Sequence, residues 1–174
     1  MMNMDDDDPI AVNIMLKYFY SGKYHEPSAD MRDGRSQLYF QVLTYILADK
    51  YDIPDLLLVV MKVFQSTLES KPTAAEFLMT VSNVYMMIPR PANAMRSMAV
   101  DYARSNIQEL SENANVNILR ATLQNVPEFT FDLIQHFANN PLRGKCSSCG
   151  PNQPAEGIRA RCHTCGKGGL SLGH

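Results

Sequence analysis

Residues 38–65 read LYFQVLTYILADKYDIPDLLLVVMKVFQ, two apolar segments joined by Lys50-Tyr51-Asp52-Ile53-Pro54. The apolar residues fit the helical period. The spacing predicts one helix from Leu38 to Tyr51, with Tyr39, Leu43, Ile46 and Leu47 on one side, and a second running to about Glu69. Asp52 is placed to cap the second helix, and Pro54 falls in its first turn, where a missing N–H costs nothing.

Working outward, the same period continues on both sides. Upstream, Pro9 suits a first helical turn, and Ile10, Ile14 and Tyr18 recur at helical spacing, with Leu16 off register, until Ser21-Gly22 ends the element. Residues 23–35, KYHEPSADMRDGR, are polar and contain Pro and Gly, the composition of a loop. Residues 1–8 are rich in Met and Asp and are expected to be disordered, although negative charge is also favourable at the positive end of a following helix.

Downstream, Thr73-Ala74-Ala75-Glu76 is a capping-box pattern. The helix it opens should stop near Met87, because Pro89 and Pro91 follow. A further helix fits Ala92 to Leu110, with Met95, Met98, Ala99 and Tyr102 inward. Two more fit Val116 to Gln124 and, after the cap Asn125-Val126-Pro127-Glu128, a stretch to about Ala138. Beyond Pro141 the composition turns to Gly, Ser, Pro and Cys, which predicts turns and a short two-stranded ribbon. The expected class is therefore mainly α, with short connections that favour antiparallel helix pairs.

Apolar residues make up 45% of the 174-residue chain, enough for a buried core. No apolar run approaches the roughly 18–20 residues of a membrane span, so no membrane partner is expected. Charge is segregated. Residues 1–140 carry a net −6 and residues 141–174 a net +4, for −2 overall. The composition breaks at Asn139-Asn140-Pro141. Of eleven methionines, Met79, Met86, Met87, Met95 and Met98 lie close in sequence. Such residues can serve an adaptable binding surface, and core filling is the favoured reading.

The strongest chemical signal is Cys146-x2-Cys149-x12-Cys162-x2-Cys165, which uses all four cysteines of the chain. Each pair is followed by Gly, as Cys149-Gly150 and Cys165-Gly166. Two intervening residues let one tight turn present both sulfurs, and the Gly lets the backbone fold close to them. Four thiolates make a closed tetrahedral site for structural zinc. Iron suits the same cage, and an even cysteine count permits two disulfides. The chain opens MMNMDDDD, without the basic start and apolar core of a secretory leader, so an intracellular protein of nucleus or cytoplasm is expected and zinc is preferred. His163, inside the second pair, could replace a thiolate, but four already satisfy the ion.

No catalytic pattern emerges, and the expectation is a protein that is not an enzyme and takes no small-molecule substrate. Gly166-Lys167-Gly168-Gly169 lacks the strand and spacing of a phosphate loop. There is no G-x-S-x-G elbow. Asp49 and Asp52 flank a helix end, where capping explains them, and Ser36 and Ser66 have no visible base. His25, His136, His163 and His174 are scattered. Arg143, Lys145, Arg159, Arg161 and Lys167 surround the cysteines and could meet phosphates. Residues 141–174 hold no Phe, Tyr or Trp on which a base could stack.

Residues 11–24, AVNIMLKYFYSGKY, and 38–65 together resemble the C-terminal half of the BTB/POZ domain in its fungal form. The family's Tyr-x-Tyr-Thr-Gly-x-Tyr helix end is matched by Tyr18, Tyr20, Ser21, Gly22 and Tyr24. Its Tyr-x-Leu-Ala-Asp-Lys-Tyr helix is matched by Tyr45, Leu47, Ala48, Asp49, Lys50 and Tyr51. The resemblance implies, after the disordered acidic start at 1–8, a partial BTB/POZ domain at 9–70 whose N-terminal sheet half is missing, and a helical extension at 71–140; the cysteine spacing adds a small zinc-ribbon-like tail at 141–174. It implies an adaptor or oligomerisation module, self-associating or binding other proteins, with a link to cullin-type ubiquitin ligases. The alternative is a zinc-dependent nucleic-acid-binding transcriptional cofactor. Without the family's sheet, Leu43, Leu47, Leu57, Val60 and Phe64 are expected to form an uncovered apolar face.

Overall fold

The computed structural model describes residues 7–88, 94–140, 143–146 and 150–154. Among them are eight helices and a two-stranded hairpin, so the chain is mainly α. It divides into two compact units, residues 1–129 and 130–174. The division falls inside the last helix, and no unit boundary separates residues 70 and 71.

Helix α1 (Pro9–Ser21) is set at both ends by its sequence. Asp8 accepts from the backbone N–H of Ile10 at 2.9 Å and of Ala11 at 3.2 Å, satisfying donors that the helix cannot. Gly22 closes the other end at φ 66°, a conformation that is costly for residues with a Cβ. Its N–H donates to Tyr18 O at 2.8 Å. The disordered start expected at 1–8 therefore does not extend to Asp8, nor to Asp7, whose carboxylate is paired with Lys50. Ala11, Ile14 and Met15 form the buried stripe of α1.

Helix α2 (Gln37–Lys50) starts at Ser36, whose hydroxyl accepts from Tyr39 N. It is the centre of the first unit. Helices α1, α3 (Pro54–Glu69) and α4 (Ala74–Met87) all pack on it. Its buried residues are Leu38, Phe40, Gln41, Val42, Leu43, Thr44, Leu47 and Ala48, which run around most of the helix. Tyr39 and Ile46, expected on the inner side, are only half-buried. A helix enclosed by three others has no single inner side, and a one-stripe reading fails there for that reason.

Helix α3 keeps a narrow stripe, Leu56, Val60, Phe64 and Leu68, at four-residue intervals. Asp52 does not cap it. The N-cap is Ile53, without a side-chain hydrogen bond, and Asp52 sits at φ 53° in the reversal after α2. Asp tolerates this left-handed geometry better than most residues. The uncovered face expected over Leu43, Leu47, Leu57, Val60 and Phe64 is also corrected. Leu43, Leu47, Val60 and Phe64 are buried and Leu57 is half-buried, because the helices close on one another.

Helix α4 opens with the capping box read from the sequence. Glu76 N donates to Thr73 Oγ1 at 3.3 Å, and Thr73 N donates to Glu76 Oε2 at 3.1 Å. Phe77, Leu78, Val81, Val84 and Tyr85 are buried, whereas Met79, Met86 and Met87 are exposed. Core filling is thus wrong for these three methionines and right for Met95. The end of α4 is held by Arg96. Its Nη2 donates to Tyr85 O at 3.1 Å and Ile88 O at 3.2 Å, and its guanidinium stacks on the Tyr85 ring.

Helix α5 (Ala94–Ser105) buries Met95, Ala99, Val100 and Ala103. Its half-buried Tyr102 packs on Phe77 with ring centres 4.5 Å apart. The single helix expected to Leu110 breaks at Asn106, whose amide donates to Tyr102 O, and a short α6 (Ile107–Leu110) follows. Helix α7 (Val116–Asn125) packs on α4. In α8 (Pro127–Asn139), Phe129 meets Tyr85 edge to face at 5.6 Å. In the second unit, β1 (Arg143–Cys146) and β2 (Gly150–Pro154) form an antiparallel ribbon. Among the described residues, no helix is long and apolar enough to cross a membrane.

Candidate functional site

The ribbon places Cys146 and Gly150. Its register pairs Arg143 with Pro154, Gly144 with Gln153, and Cys146 with Gly150, with an irregularity between Gly144 and Cys146. Cys146 thus ends β1 directly opposite Gly150, the glycine of its own Cys-x-x-Cys-Gly motif. Cys149, Cys162 and Cys165 lie outside the described residues, as do His163, His174, Arg159, Arg161 and Lys167. Of the remaining basic residues of the tail, Arg143 and Lys145 are on β1. Among the described residues, no group of three or more His, Cys, Asp or Glu could hold a metal ion.

The other histidines have ordinary partners. His136 is half-buried on α8, 3.5 Å from the Asn140 amide. His25 Nε2 lies 3.0 Å from Ser21 Oγ, a pair that reading the chain for distant bases missed. Ser21 Oγ also lies 2.7 Å from Lys17 O, to which it donates, so its proton points into the helix and away from the imidazole. Both residues are exposed. This is the end of α1 closing on itself, and it lacks the geometry of an activated nucleophile.

Two further features stand apart from the cysteines and histidines. One is an apolar surface on α1. Leu16 is exposed, Phe19 is 57% exposed and Tyr20 91%. The run Tyr18-Phe19-Tyr20 signals it in the sequence: successive residues stand about 100° apart on a helix and cannot all face inward, so one is expected either to be exposed as a partner contact or to be covered by the missing half of the domain.

The other is a buried polar cluster beneath the 23–35 loop. Gln41, completely buried on α2, donates from Nε2 to Glu26 Oε1 at 2.7 Å and to Thr67 Oγ1 of α3 at 2.9 Å. Thr67 passes its own proton to Val63 O at 2.9 Å. Tyr24 lies near Glu26 and Thr44, and Arg32 lies close enough to Glu26 for its charge to act on the carboxyl. Burial pushes the Glu26 carboxyl above its ordinary value, against the downward pull of the Gln41 hydrogen bond and the Arg32 charge. Burial and the neighbouring Glu26 charge push the Tyr24 phenol up as well. The signal available in the sequence was Gln41 itself, one amide inside the apolar run LYFQVLTY.

No protein-family model, curated protein or solved structure matches this chain.

Proposed function

We propose that the chain is a non-enzymatic protein–protein interaction module of BTB/POZ type, an adaptor or oligomerisation element linked to a cullin-type ubiquitin ligase. The observation that carries this reading is the α1 surface. Leu16, Phe19 and Tyr20 project from a helix whose opposite stripe is fully buried, so they are not needed for the core. Aromatic side chains that are rigid and amphipathic are favoured as interface anchors. Support also comes from the motif Tyr18, Tyr20, Ser21, Gly22, Tyr24 on this same helix end and from Tyr45 to Tyr51 at the end of α2. We further propose that Cys146, Cys149, Cys162 and Cys165 hold one structural zinc ion, a reading supported by the Cys146–Gly150 pairing of the ribbon.

The test is affinity capture with the full chain and with Phe19→Ser/Tyr20→Ser. Self-association or recovery of a cullin scaffold, lost in the double variant, is the expected result. A monomer that captures no cullin overturns the proposal. The segregated +4 charge of residues 141–174 favours the second reading, a zinc-dependent nucleic-acid binder. Affinity for nucleic acid that falls steeply with salt and vanishes on chelation would support it. No binding at low salt would exclude it.

A further inference from the structure

The hydrogen-bond inventory beneath the 23–35 loop does not close. Both Nε2 protons of Gln41 are used, one on Glu26 Oε1 and one on Thr67 Oγ1. The Thr67 hydroxyl proton is committed to Val63 O, so Thr67 Oγ1 can only accept from Gln41, which fixes the orientation of the amide. Two acceptors, Gln41 Oε1 and Glu26 Oε2, and two donors, the Tyr24 hydroxyl and Arg32 Nε, are then buried with no hydrogen-bond partner among the described residues. An orphaned acceptor in the interior is costly, and an orphaned carboxylate oxygen more so.

A proton on Glu26 supplies the acceptor of Gln41. A carboxylic acid at Glu26 carries an Oε2–H donor in a cluster whose bare acceptor is Gln41 Oε1, while Oε1 keeps the bond it already accepts. A carboxylate has no such donor to offer, and the donors left to it are the Tyr24 hydroxyl and Arg32. The Arg32 Nε is itself buried without a partner. The groups facing Glu26 are Tyr24 and Arg32 from its own loop, Gln41 from α2 and, through Gln41, Thr67 from α3; Thr44 stands behind Tyr24.

We propose that Glu26 is a proton-sensitive clasp: as the neutral acid it fastens the 23–35 loop to Gln41, and on losing its proton it turns to Arg32 and loosens the loop from α2 and α3. The loop joins the exposed aromatic end of α1 to α2, so the clasp sets how firmly that end is held. The upward push of burial on the carboxyl agrees with this. The sign follows from linkage. Below the ordinary value of 4.5, folded and unfolded chains are both protonated and the clasp is fully present. As pH rises above 4.5, the unfolded chain ionises first, so stability falls until Glu26 itself ionises in the fold.

The experiment is a carbon-13 titration of the assigned Glu26 side-chain carboxyl in the full chain, with urea unfolding across the same pH range for the parent and Glu26→Gln. The expected midpoint lies above 4.5. The parent's unfolding constant should rise by up to about tenfold per pH unit in that window. Glu26→Gln, which keeps a neutral donor at this position, should lose this part of the pH dependence. Arg32→Gln should move the carboxyl midpoint further up. A carboxyl titrating at or below 4.5, a midpoint unmoved by Arg32→Gln, or an unchanged pH slope in Glu26→Gln overturns the proposal. If Glu26→Gln fails to fold, the titrations of the parent and Arg32→Gln decide alone.

Discussion

Lys50 Nζ lies 2.8 Å from Asp7 Oδ1 and 2.9 Å from Oδ2, joining the residues before α1 to the last residue of α2. The Tyr51 hydroxyl donates to the same carboxylate. One residue on, Asp8 pairs with Arg35 at 3.0 Å, and the Arg35 guanidinium covers the rings of Tyr39 and Phe40. Two consecutive aspartates thus fix the start of α1 to both ends of α2.

This arrangement makes acid stability depend on Asp7. Burial pushes its carboxyl up, but the hydrogen bonds from Lys50 and Tyr51, together with the Lys50 charge, outweigh burial and hold it below 3.8. Its contribution is therefore present above 3.8 and lost as pH falls through its lowered native value. Asp7→Asn is expected to lower the urea midpoint at pH 7 and to leave it nearly unchanged at strongly acidic pH. An equal loss at both would show that the ionised pair is not the cause.

Truncating Phe64 probes the closure of the helices. Phe64 is fully buried on α3, and Phe64→Ala should cost about 3–5 kcal/mol. Met86, 67% exposed on α4, is the control. Met86→Gln should stay within about 0.5 kcal/mol of the parent. Equal effects in chemical denaturation would mean that the apolar face of α3 is open after all.

The start of α4 should be sensitive to one hydroxyl. Thr73→Ala removes the acceptor for Glu76 N and is expected to cost about 1 kcal/mol, typical of a lost N-cap. Thr73→Ser, which keeps the oxygen, should recover most of it. A Ser variant as weak as Ala would assign the loss to the Thr methyl group.

The proposed zinc site predicts one ion per chain in protein prepared under reducing conditions. A chelator should release it while leaving the helical circular dichroism nearly unchanged, because the core of residues 7–129 is built from helix-to-helix contacts. Metal-free protein with two intact disulfides, or a large loss of helix on chelation, would contradict this.

What could be read from the sequence was what depends on near neighbours. The Thr73–Glu76 box, Pro9 and Pro54 in first turns, and Gly22 after α1 are local features, and the structure places each as expected. Asp52 was misassigned because a cap and a left-handed reversal favour the same residue and lie one position apart. Met79, Met86 and Met87 are apolar by composition, yet they fall outside the face that α4 buries. The Glu26–Gln41 contact spans 15 residues, and no short-range rule could pair them. Of the cysteine site, the structure describes only Cys146 at its strand end; the other three ligands remain a reading of spacing.

The enclosure of α2 governs the order in which this chain can fold as it is synthesised. Its three neighbours arrive on both sides of it, α1 earlier and α3 and α4 later, the last ending at Met87. A growing chain released only as far as Glu69 therefore carries α2 without the cover that α4 supplies. It should remain collapsed and loosely ordered until α4 emerges. A fragment cut at residue 70 would be held in that unfinished state, and the smallest piece able to fold unaided must reach beyond Met87.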